Sequence, residues 1–360
     1  MKTIVFACSV KKDLFRIAPI INELKGKKNE IATHVCYCGH TINYTLLEPV
    51  KNEIEIPRPD FQYHIDSGNP VDMGSQLTGF FKSTLEAIKP DLVIIPIYHV
   101  LALAYCLEAS EQKIPVCNLD AGLRLKSEDT PITNYRVPVD VYSSLLLISE
   151  ESSFENLKEE DLDLTSAYLV GNPLYETLDK LYPLIQDIKV PIKIPWNRFA
   201  LGYTFYPPHP YDKTKIPELK AILESIANEI PLIIPVHSDP KVFLNDFPAN
   251  ESIIFTKELE YVEYLALMQR AAFVITDSHV IQEECASLNK HCITLQTEAE
   301  RPSLVANRVN ILTGFDSKLI KNSVQSILNQ KENLIQDIRP VSGNASKKIV
   351  EIIMNYLLNN

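Results

Sequence analysis

The sequence predicts an α/β protein built from two doubly wound, Rossmann-like domains. Three observations carry that expectation. At 360 residues the chain exceeds one typical core and suits two domains of about 150–200 residues each. Short apolar, β-rich runs alternate with helical stretches, the pattern of a parallel sheet covered on both faces. Between two such alternations lies a break holding Pro183, Pro191, Pro195 and the single tryptophan, Trp196. Proline both ends helices and stiffens a connection. The expected division is a domain over 1–182, a linker over 183–198, a domain over 199–342 and a final helix over 343–360.

In the first alternation, strands are expected at 3–8, 31–38, 62–65, 91–97, 116–119, 144–148 and 168–170. Helical stretches fall between them at 14–26, 41–50, 73–89, 99–111, 134–143, 151–159 and 173–184. The turn after the first strand reads Ser9-Val10-Lys11-Lys12-Asp13, without the glycines of a dinucleotide fingerprint. The second alternation places strands at 198–205, 232–236, 252–255, 273–276, 292–295 and 310–312. Its helices fall at 215–229, 259–270, 280–288, 303–306 and 317–329. In the last helix, 344–358, Val350, Ile353 and Leu357 recur at helical spacing and make it amphipathic. Two such domains are expected to leave a cleft at the carboxyl ends of their strands.

Composition narrows the partners. A net charge of −11 argues against nucleic acid, which selects a basic face. No run approaches the roughly 18–20 apolar residues of a membrane span. Met1 leads directly into a strand without the pattern of a signal peptide, so the expected location is cytoplasmic. The seven cysteines lie mostly in apolar runs and read as reduced core residues, since Cys36-x-Cys38 is not a zinc spacing. No metal or cofactor is expected.

One stretch concentrates the chemistry. Phe273–Thr276 is a buried-strand run, Asp277-Ser278 supplies a helix N-cap, and a helix follows. A strand entering a capped helix aims free backbone N–H groups and a positive dipole end beyond the sheet, an arrangement suited to phosphate. Glu283 and Glu284 follow within two turns and suit sugar hydroxyls. An ordinary β–α junction with a solvated acidic turn has the same local pattern.

Thr276-Asp277-Ser278, Ile281-Gln282-Glu283-Glu284, Ala286-Ser287-Leu288 and Glu300-Arg301-Pro302 resemble the nucleotide-binding signature of the UDP-N-acetylglucosamine 2-epimerase family. Ala18-Pro19, Lys89-Pro90-Asp91, Asp120-Ala121-Gly122-Leu123-Arg124, Val170-Gly171-Asn172-Pro173 and Pro235-Val236-His237 occur in the family's order. The resemblance implies a GT-B-like fold whose last helix crosses back onto the first domain. It also implies interconversion of UDP-N-acetylglucosamine and UDP-N-acetylmannosamine by elimination and readdition of UDP. A hydrolysing epimerase or another nucleotide-sugar enzyme on this fold is one alternative; a non-catalytic binding homologue is another.

The same resemblance implies site residues. Asp120 matches a catalytic glutamate one methylene longer, and His209, between prolines, matches the histidine serving the leaving group. Arg136 keeps its place in the family pattern. The acid beside it is replaced by Ile132-Thr133, leaving Asp129 as the nearest candidate. Tyr98, followed by His99, stands where the family has an aspartate. At the phosphates the available groups are Lys11, Arg16 and Ser278, with Glu284 at the ribose; His237 and Arg301 are further substrate-binding candidates. His279 and Val280 replace a glycine pair at the diphosphate approach. The expected partners are a UDP-sugar and a second copy of the chain, forming a homodimer.

Overall fold

The computed structural model describes residues 1–27, 29–39, 54–64, 70–96, 100–126, 131–203, 216–236, 250–329, 335 and 343–359. The helix expected over 41–50 lies outside them. Contacts divide the chain into two compact units, Met1–Leu181 with Pro340–Asn360, and Tyr182–Arg339.

In the first unit the strands are β1 (Lys2–Cys8), β2 (Ile31–Cys38), β3 (Phe61–Tyr63), β4 (Leu92–Ile95), β5 (Val116–Leu119), β6 (Leu145–Ile148) and β7 (Ala167–Leu169). The helices are α1 (Lys11–Leu24), α2 (Pro70–Ile88), α3 (Val100–Glu111), α4 (Pro131–Tyr142), α5 (Ser152–Glu159) and α6 (Pro173–Leu181). The strands form one parallel sheet in the order β3-β2-β1-β4-β5-β6-β7. Strand order reverses between β1 and β4, and the crevice outside the carboxyl ends at such a reversal is where α/β sheets bind ligands. Val5, Ala7, Val93, Ile95, Leu77 and Phe81 fill one face of the core.

Two of the element boundaries that differ from expectation have clear local reasons. The first helix starts at Lys11 because Asp13 caps it, accepting the Ser9 and Val10 amides at 2.7 and 3.0 Å. The strand expected from 91 starts at Leu92, because Asp91 turns its carboxylate onto the Thr3 amide at 2.7 Å. The C-terminal helix, Ala345–Asn359, packs on α1 and α6 within this unit, and the Ser346 amide donates to Glu176 at 2.8 Å.

The second unit holds β8 (Ala200–Tyr203), β9 (Leu232–Val236), β10 (Ile253–Lys257), β11 (Val274–Thr276), β12 (Cys292–Thr294) and β13 (Asn310–Leu312). Its helices are α7 (Ile216–Ala227), α8 (Tyr261–Arg270), α9 (His279–Ser287), α10 (Pro302–Ala306) and α11 (Ser317–Asn329), leaving α12 for the terminal helix. The parallel order β10-β9-β8-β11-β12-β13 reverses between β8 and β11. The proline-bearing stretch is docked on α8 of this unit. Arg270 donates to the Gln186 and Ile188 carbonyls, and Gln269 to that of Tyr182. All seven cysteines are buried and free of disulfides. Among the described residues no helix is long and apolar enough to cross a membrane.

Candidate active site

Asp120 leaves β5 with φ +66°, a left-handed conformation that aspartate tolerates better than most residues. This turn directs its carboxylate into a buried ion pair with Arg16 of α1. Asn172 completes the group: its Oδ1 accepts from Arg16 Nη1 at 3.3 Å and from the Leu174 amide at 3.0 Å, capping α6. Arg16, Asp120 and Asn172 are all at least 95% buried. Arg16 therefore has its charge engaged by Asp120 rather than facing water. Lys11, in the first turn of α1, is half-buried.

The turn after Asp120 is fixed by Asp140 on α4, which accepts from Asn118 Nδ2 at 2.6 Å, the Gly122 amide at 3.0 Å and Arg124 Nη2 at 2.7 Å. Arg124 also forms a fork with Glu160, both contacts at 2.7 Å. Arg136, buried on α4, donates to the Leu123 carbonyl at 3.3 Å, so it joins the same turn. Gly122 is required there: φ is +78°, and a Cβ would stand 2.5 Å from the Ser153 carbonyl oxygen. Gly122→Ala is expected to destabilise the chain by about 2–4 kcal/mol, combining left-handed strain with overpacking. A urea midpoint unchanged from the parent would contradict this.

Asp13 adds a pH-dependent element. Burial pushes its carboxyl from 3.8 up to about 6, outweighing the lowering by the Ser9 and Val10 amides and by Arg16. The native state then binds the proton more tightly than the unfolded chain. Stability from this group is full below about pH 4 and is lost as pH rises to about 6, by on the order of 2–3 kcal/mol. Asp13→Asn keeps an acceptor for both amides, so the difference in stability between variant and parent is expected to grow across this window. A pH-independent difference would contradict it.

In the second unit, Ser278 stands at the N-cap position of α9 after β11 without a capping hydrogen bond from its side chain, and its amide donates to Thr276 Oγ1 at 3.0 Å. His279 follows, with Nε2 at 2.8 Å from Gln296 Nε2 and 3.6 Å from Glu300 Oε1. Glu283 pairs with Arg301 at 2.5 Å, both side chains buried. Arg301 is therefore anchored across α9 and α10 rather than solvent-facing. Glu284, 1% exposed, accepts from the Tyr261 hydroxyl at 3.0 Å. Tyr203 and Tyr264 lie ring to ring at 4.4 Å. Burial raises both phenols above their ordinary value, and the charge of Glu284 raises them further.

Tyr98, His99, Asp129, His209 and His237 lie outside the described residues, as does the side chain of Val280. Of the expected residues that are described, Arg16, Asp120 and Arg136 gather beyond β5. Ser278, His279, Glu284 and Arg301 gather around α9. Asp140, Asn172 and Tyr261 were not expected in the site. Asp140 carried one signal, being the single acid of α4. Asn172 carried another, an N-cap residue before proline. Among the described residues no group of three His, Cys, Asp or Glu is placed to hold a metal ion.

The family model described as UDP-N-acetylglucosamine 2-epimerase matches residues 22–354. The chain belongs to this family. The UDP-N-acetylglucosamine 2-epimerase of Methanocaldococcus jannaschii is 27% identical, over 95% of this chain and 96% of its own. That of Methanococcus maripaludis is 28% identical over the same shares. The crystal structure of the M. jannaschii UDP-GlcNAc 2-epimerase, in complex with UDP-GlcNAc and UDP, matches with a TM-score of 0.83 at 24% identity. It covers 98% of this chain and 99% of that one. Two of the family-like segments, 120–124 and 276–288, sit at the carboxyl ends of β5 and β11; β11 borders the reversal in its sheet's strand order, and β5 lies one strand from the reversal in the other.

Proposed function

We infer that the chain interconverts UDP-N-acetylglucosamine and UDP-N-acetylmannosamine. The observation that carries this reading is the placement of Asp120 and of the Ser278–Glu284 segment at the carboxyl ends of their sheets in a member of this family. A base takes the C2 proton while the C1–O bond breaks and UDP leaves with the bonding pair. The product is the 1,2-unsaturated 2-acetamido sugar. Readdition of UDP at C1, with a proton delivered to the opposite face of C2, gives the epimer. Asp120 is the acid/base group of this scheme. Arg136 and His209 serve the departing diphosphate, and Tyr98, His99 and Asp129 are the groups nearest the positions of the other family acids. Lys11, His237, Ser278 and His279 bind phosphate, with Arg301 holding the α9 end in place, and Glu284 accepts the ribose hydroxyls.

Incubation with UDP-N-acetylglucosamine, followed by NMR, tests the reaction. Accumulation of UDP-N-acetylmannosamine is expected; release of free N-acetylmannosamine would replace epimerisation by hydrolysis. Glu284→Ala is expected to weaken UDP binding by about 1–3 kcal/mol, the scale of a hydrogen bond to a charged group. Calorimetry giving parent affinity would contradict its role.

The working form proposed is a homodimer in the cytoplasm. Exposed Leu107, Val141 and Tyr142 on α3 and α4 support the first point, and seven free, buried cysteines support the second. Light scattering at micromolar concentration reads the dimer directly.

A further inference from the structure

We propose that Tyr261 is the positioning residue of the nucleotide site: its hydroxyl fixes the Glu284 carboxylate in the orientation that accepts the ribose hydroxyls. The proposal rests on the reading of Glu284 as the ribose acceptor. Tyr261 opens α8 after β10, whereas Glu284 lies in the second turn of α9 after β11. The two strands are not neighbours, yet the residues meet at 3.0 Å across a separation of 23 residues.

The chemistry of this contact differs from that of the adjacent acid. Glu283 is turned onto the Arg301 guanidinium, which neutralises it. The donor from Tyr261 to Glu284 is a neutral phenol, which orients a carboxylate without cancelling its charge. The last torsion of a glutamate is broad and roughly two-fold, so it does not set the carboxylate plane by itself. A hydrogen bond fixed on Oε1 sets that plane, and with it the direction of the lone pairs on Oε2. Ordering the acceptor before the ligand arrives removes that cost from binding. The nearby phenols of Tyr203 and Tyr264 remain protonated beside the same charge, since burial and Glu284 both raise them. The phenols around Glu284 are thus neutral rather than competing anions.

Titration calorimetry with UDP and 2′,3′-dideoxy-UDP tests the proposal on the parent, Tyr261→Phe, Tyr264→Phe and Glu284→Ala. The parent is expected to prefer UDP, and Glu284→Ala to lose the preference. Tyr261→Phe is expected to reduce the preference about 3- to 10-fold, the worth of one hydrogen bond. Its affinity for the dideoxy ligand should stay at the parent value, while its melting temperature should fall modestly, because the buried Glu284 carboxylate loses a donor. In turnover, KM should rise with kcat retained. Tyr264→Phe is the control, because that buried hydroxyl makes no hydrogen bond among the described residues; it should leave the preference intact. A Tyr261→Phe preference equal to the parent's, or an equal loss in Tyr264→Phe, overturns the role of Tyr261 while the reading of Glu284 stands. A parent without preference, or a Glu284→Ala variant that keeps it, overturns both.

Discussion

Asp120→Asn is expected to lower epimerisation by at least about 100-fold, the lower scale for removing a general acid or base. The change is nearly isosteric, and asparagine tolerates the left-handed backbone found at this position. What it removes is the charge, and with it both proton transfer and the partner of buried Arg16. Breaking a buried pair from one side costs about 3–5 kcal/mol, so the variant should also melt earlier. Rates must therefore be read well below its transition. Asp120→Glu separates the two effects, because it restores a carboxylate one methylene longer. It is expected to recover most of the stability and part of the rate. A folded Asp120→Asn protein turning over at the parent rate would remove Asp120 from the chemistry.

A loss of stability on the same scale is expected at Asp140. Its carboxylate accepts from Asn118, Gly122 and Arg124 while almost fully buried. Asp140→Ala strands these donors in a buried site, and a loss of about 3–5 kcal/mol follows. Arg124 keeps its fork to Glu160, so the chain should still fold. The released element is the turn that aims Asp120, and activity should fall in samples that remain folded. Asp140→Asn, which keeps one acceptor, should lose less. Denaturant midpoints within about 1 kcal/mol of the parent would show that the turn is held by other contacts.

The sheet-forming runs were legible because apolar, β-rich segments between turn residues state strands directly, and those from β1 to β13 fall within a few residues of their expected places. Asp120 and Glu284 were legible because they fall in segments that resemble the family's. Their partners were not. Arg16 and Asp120 are 104 residues apart and Arg16 and Asn172 are 156, and such pairs depend on the strand order, which periodicity does not encode. Arg16 illustrates the consequence. By sequence it is a cation near the phosphates, but on the inner face of α1 a buried charge needs a partner, and Asp120 supplies it. By sequence Tyr261 falls only within the helical stretch 259–270, since nothing local marks a phenol that bonds to another helix.

Epimerisation at C2 requires making and breaking the C2–H bond of the UDP-sugar. Incubation with UDP-N-acetylglucosamine in deuterated water, followed by proton NMR, measures that bond directly. Deuterium is expected at C2 of both UDP-N-acetylglucosamine and UDP-N-acetylmannosamine, at a rate lowered by at least about 100-fold in Asp120→Asn. UDP bound in the second unit with C2 fully protonated after long incubation would contradict it.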